Sequence, residues 1–156
     1  MASPLTRTTA HKHLVAVRIL AGGPLLVFGL MHLAGMAPMQ PIVEAAGLPA
    51  PGLSAILAPI GEVVAGLMIL AGLYTRVGAA IAVAVMLGAV TAHIRIPSDG
   101  WPQPDGTVGA EPPLVWLALA IILLSGYLIW RGAGPWSVDS RQGGPGGAGG
   151  PGEPSV

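Results

Sequence analysis

The chain has 156 residues, of which 53% are hydrophobic and only 9% charged, against about 25% charged in soluble domains. Seven basic side chains balance seven acidic ones, so no net field draws in nucleic acid. The absence of any cysteine excludes a disulfide relay, a thiol nucleophile, cysteine-ligated zinc and an iron–sulfur cluster within this chain.

Residues 1–13 read as a short polar tail with Arg7 and Lys12. The first apolar stretch runs from Leu14 to Ala37. Its basic flank and the small residues Ala34 and Ala37 imitate a cleaved leader, but it exceeds the roughly 7 to 15 apolar residues of a signal core, so a retained span is expected. Three further stretches run from Leu53 to Leu73, Val77 to Ile96 and Leu114 to Trp130. Each approaches the roughly 20 apolar residues that cross a bilayer. Backbone groups in lipid must be satisfied within their own segment, so all four should be helices. The expected fold class is all-α, an integral membrane four-helix bundle over residues 14–139. The Gly/Pro-rich residues 140–156 have almost nothing to bury, so a disordered tail is expected there.

Basic residues in short flanks set orientation. With both termini in the cytoplasm, the inner side holds Arg7, Lys12, Arg18, Arg76, Arg131 and Arg141, while the outer loops hold Arg95 beside Glu44, Asp99, Asp105 and Glu111. That bias predicts cytoplasmic N and C termini, and the expected location is a cell inner membrane crossed several times. Trp101, Trp116, Trp130 and Trp136 fit an interfacial belt.

Helices in lipid associate through small residues. In the third span Ala80, Ala84, Gly88 and Ala92 recur every four residues and predict a flat stripe for a neighbouring backbone. In the second span Ala58, Glu62 and Gly66 share that spacing, which turns Glu62 toward protein. Arg18, Gly22, Gly29 and His32 fall near one face of the first span, and Glu111, Ala118 and Ser125 along the fourth.

Glu62 is the only formal charge in its run, and a carboxylate at mid-helix costs roughly 2.5 to 3.5 kcal/mol on insertion scales unless it faces a polar partner. His32 and His93 are the candidate partners. The three would form a polar, proton-exchanging pocket, with Arg18 and Glu111 as candidate cofactor-binding residues. An interhelical hydrogen bond of purely structural value explains Glu62 equally well. Pro59, one turn before Glu62, removes a backbone donor beside it. No local spacing of metal ligands, haem motif, phosphate loop or dinucleotide fingerprint is present, so no metal site is assigned.

In order and spacing these landmarks resemble the DoxX family of small four-helix membrane proteins. The matching pieces are Arg18 with Gly29 and His32, then Ala46-Gly47-Leu48-Pro49, then Gly61-Glu62 through Gly72-Leu73-Tyr74-Thr75-Arg76. The close Gly132-Ala133-Gly134-Pro135-Trp136-Ser137-Val138-Asp139 resembles the family's glycine-proline-glycine ending, with the order slightly changed. The resemblance implies a membrane subunit or anchor of an oxidoreductase assembly, with quinone as its cofactor and other redox proteins as partners. The alternatives are a non-catalytic scaffold or assembly factor, and a small proton or solute pathway. Electron transfer by this chain alone is disfavoured, because it has no cysteine and no recognisable cofactor motif.

Overall fold

The computed structural model describes residues 11–143, so the expectations for residues 1–10 and 144–156 lie outside the described part. The fold is the expected all-α membrane bundle, with helices α1 (His13–Leu33), α2 (Met39–Ala45), α3 (Pro51–Ala71), α4 (Thr75–Arg95), α5 (Val115–Arg131) and α6 (Val138–Gly143). Between α4 and α5 a two-stranded antiparallel hairpin pairs β1 (Trp101–Pro102) with β2 (Val108–Gly109). Three helices, α1, α3 and α4, have 21 residues each and are long and apolar enough to cross a bilayer, while α5 is apolar but has 17. At 1.5 Å per residue α5 is about 25 Å long, the short end of what spans a hydrocarbon core.

The four long helices close a ring in which α1 packs on α3, α3 on α4, α4 on α5, and α5 back on α1. Its centre holds Leu25, Ala65, Ile69, Ala82, Ile121 and Leu128. Its outside carries Leu20, Val27, Ile56, Leu67, Leu87 and Leu123, all exposed. A soluble protein rarely leaves so much large apolar surface uncovered, and lipid is the solvent that accepts it.

Glycine sets the closest approach. A Cβ on Gly22 would lie 2.9 Å from the Leu70 side chain, and one on Gly66 would lie 2.8 Å from the backbone nitrogen of Leu26. With no Cβ at these places, α1 and α3 pack nearly backbone to backbone, which is how helices gain van der Waals energy where lipid offers no hydrophobic drive.

Of the stripe expected along α4 only Ala92 is buried. Ala80 and Ala84 are exposed and Gly88 is half-buried, and the buried positions are Thr75, Gly78, Ala79, Ala82, Met86 and Ala92. Four-residue steps advance about 400°, so a four-membered stripe drifts some 120° around the helix and cannot stay on one neighbour. Gly78 is the glycine that meets α3, where a Cβ would lie 2.7 Å from Met68 Cβ.

Two short helices lie outside the four expected spans. Pro38 sits at the cap of α2 and Pro41 in its first turn, where the missing N–H has no partner in any helix. Helix α6 closes the end of the bundle where α1 begins. The Asp139 carboxylate accepts from Tyr74 N (2.7 Å) and Thr75 N (2.9 Å) at the start of α4, and Asp139 N donates to Gly72 O (2.8 Å). Those amides are among the four that any helix leaves unpaired at its N-terminus.

Candidate functional site

The opposite end of the ring, where α1 and α4 finish and α3 and α5 begin, holds a cavity of about 560 Å³, within the roughly 300 to 1,000 Å³ of small-molecule sites. Its wall is mostly apolar. The polar side chains on it are His32 from α1, Glu62 and Ser54 from α3, and His93 from α4.

Glu62 is 4% exposed, so its carboxyl needs a partner. His32 Nδ1 and Glu62 Oε2 are hydrogen-bonded at 2.7 Å. The approach depends on Gly29, three residues before His32, where a Cβ would fall 2.8 Å from Glu62 Cβ. Any side chain there would hold α1 away and lengthen the bond. The bond uses Nδ1, leaving Nε2 as the other polar atom of the His32 ring.

His93 reaches the same cavity but holds a different carboxylate. Its Nδ1 bonds Glu111 Oε1, and its ring stacks on Trp101 with centroids 4.7 Å apart and planes 19° from parallel. The site is therefore two His–carboxylate pairs around one space rather than one triad. Glu111 touches that space only through His93, since it does not line the wall. Trp101 departs from the expected belt: it is 8% exposed, packed with Ala46, Ala92 and Ile96, and lines the cavity. Trp116, Trp130 and Trp136 remain exposed.

The loops at this end are tied to the helices. Arg95 Nη1 donates to Ala46 O (3.1 Å) and Gly47 O (3.2 Å), joining α4 to the end of α2. Glu111 N donates to Ser98 O (2.8 Å). At the hairpin tip the Thr107 hydroxyl, then its backbone amide, hold the Asp105 carboxyl below its ordinary range, so the tip is anionic.

Arg18 does not line this cavity. It lies 14 residues before His32, about 21 Å along α1. There Nε donates to Ile69 O (2.9 Å), Nη2 to Leu70 O, and Nη1 to Trp136 O (3.4 Å). It caps the C-terminus of α3, where exposed carbonyls and the helix dipole favour a cation. Among the described residues no three His, Asp or Glu side chains converge in a way that could hold a metal ion.

Sequence reasoning missed Trp101 as a wall residue, because its signal is shared by every interfacial tryptophan. It also missed Asp139 as a helix cap, since capping from 64 residues away leaves no local pattern.

Comparison with known proteins agrees with this architecture. The DoxX family model matches residues 13–94. The chain is 31% identical over 136 residues to the uncharacterized membrane protein Rv3486 of Mycobacterium tuberculosis, covering 81% of this chain and 79% of the relative. No solved structure matches it. With more than half its length under the family model and a relative of similar extent, this chain belongs to the DoxX family.

Proposed function

We propose that this protein is an integral subunit, or membrane anchor, of an oxidoreductase assembly in a cell inner membrane, and that its cavity receives the headgroup of a quinone. The observation that carries this reading is a His–carboxylate pair, His32 with Glu62, on the wall of an otherwise largely apolar cavity of about 560 Å³. A quinone ring is flat and apolar, with polar atoms only at its carbonyl oxygens. Such a ring fits a space with apolar walls and a few convergent polar groups.

When bound, quinone supplies the capacity to take up two electrons and two protons. With no cysteine in the chain, the electrons come from a flavin- or metal-bearing partner protein. His32 and Glu62 hold and pass a proton: the pair is neutral overall whether the proton sits on imidazole or carboxyl, which makes it tolerable in a low-dielectric site. His93 with Glu111 is a second such pair on the loop side. Both termini are assigned to the cytoplasm, because Lys12, Arg18, Arg76, Arg131 and Arg141 gather at one end of the bundle and Glu44, Asp99, Asp105 and Glu111 at the other.

One observation favours a scaffold instead. The His32–Glu62 bond lies beside the close Gly29 contact and could serve only to pin α1 to α3. Substitution of Glu62 by Gln separates the two readings, because it keeps shape and hydrogen bonding while removing the exchangeable acid. In the redox reading the assembly forms normally, quinone-dependent turnover falls at least tenfold, and the pH profile of what remains changes. Normal turnover and an unchanged pH profile in an intact assembly would leave the scaffold reading standing. A conducting pathway has less support, since Leu14, Ile69 and Leu128 are fully buried in the core toward the other end.

A further inference from the structure

We propose that the cavity is loaded sideways from the bilayer: an amphiphile with a compact polar head and a long isoprenoid or alkyl tail enters between α3 and α4 and leaves its tail in that gap, with Gly88 as the gate. This rests on the quinone reading only for the identity of the head.

The gap is defined by residues that are at once cavity wall and bundle exterior. Helix α4 turns Val85 to α3, where a Cβ on Gly61 would lie 2.9 Å from Val85 Cγ2. At 100° per residue, Gly88 and Ala84 lie roughly 60° and 100° around α4 from Val85, away from the buried positions Ala82 and Met86. That is the lipid-side edge of the α3–α4 contact, yet both line the cavity. Across from them on α3, Leu53 and Leu57 also line it and are 57% and 53% exposed. A continuous surface therefore runs from buried Glu62 to side chains that face lipid.

Gly88 differs from the glycines at the helix–helix contacts. A Cβ on Gly29, Gly61 or Gly66 would collide within 2.9 Å of a neighbour, whereas one on Gly88 would meet nothing closer than Leu48 Cδ1 at 4.0 Å. It does not serve close packing; it leaves a space open. The window also sits at membrane depth. Gly88 is seven residues from the end of α4 at Arg95, about 10 Å below it, and α2 with Leu48 covers the gap on the loop side. Entry from water would have to break the loop ties, namely His93 with Glu111, Trp101 on His93, and Arg95 on Ala46 and Gly47. Polar groups at the inner end and leucines at the window complement an amphiphile, head inward.

The test uses the full chain in phosphatidylcholine vesicles containing a long-chain alcohol that carries a photoactivatable diazirine. After irradiation, adducts are mapped by mass spectrometry. Interior adducts, with Glu62 among them, are expected in the unmodified protein and should fall at least tenfold in Gly88→Leu, while adducts on the exterior residues Ile19 and Leu123 stay constant. Ala84→Leu, on the exposed edge of the same window, should give the same loss and keeps the test valid if Gly88→Leu does not fold. Interior adducts that are absent from the unmodified protein, or that persist in the folded variants, would overturn the proposal. Long-chain menaquinone added as competitor tests the head separately: if it fails to suppress Glu62 labelling while the window variants do, the portal stands and the quinone reading falls.

Discussion

Gly29 on α1 faces Glu62 on α3 so closely that a Cβ on the glycine would lie 2.8 Å from Glu62 Cβ. The glycine is thus a condition of the His32–Glu62 bond, because it sets how near the two helices come just where imidazole and carboxyl meet.

Gly29→Ala should destabilise the protein by about 1 to 3 kcal/mol, the usual cost of overpacking a close contact. Gly23, in the same helix, has nothing within 4 Å of where its Cβ would be. Gly23→Ala should therefore be neutral or stabilising by about 0.5 to 1 kcal/mol, as the helix loses a flexible residue. Thermal unfolding of both variants in one detergent checks the opposite signs.

The Asp139 carboxylate is the cap of α4. Asp139→Ala leaves the amides of Tyr74 and Thr75 without it and should cost about 1 to 3 kcal/mol, the penalty for a buried donor left unmet. Asp139→Asn keeps one acceptor oxygen and should cost less. Equal losses for the two would mean that the carboxyl contributes charge near the helix dipole rather than hydrogen bonds.

The His93–Glu111 bond ties α4 to the segment after the hairpin. Glu111→Ala should speed amide exchange in residues 101–109 severalfold and leave α1 and α3 unchanged, because separate parts of a fold open with separate free energies. Unchanged exchange in the hairpin would show that the Trp101 stack and the Ser98 contact suffice to hold it.

The cysteine-free chain permits a direct test of orientation. A single cysteine at Asp105 should react with a membrane-impermeant maleimide on intact cells, and one at Arg141 only after permeabilisation. Reaction of the Arg141 site on intact cells would reverse the proposed orientation.

The apolar runs and the lone charge of Glu62 follow from composition, because lipid demands long unbroken apolar segments and penalises every charge within them. The sequence by itself therefore determined the four main helices, their antiparallel course and the inward turn of Glu62 beside Gly66. It did not determine which partner Glu62 takes. His32 and His93 sit at comparable depth, and only the Gly29 contact brings one within 2.7 Å while the loop after the hairpin claims the other. Nor did it decide the role of the alanine and glycine stripe on α4. Small side chains suit close packing and empty space alike, and the difference lies in how far the neighbouring helix stands off. Arg18 and Asp139 became caps for the same reason: each satisfies backbone groups far away in sequence, and only the closed ring of helices puts them within reach.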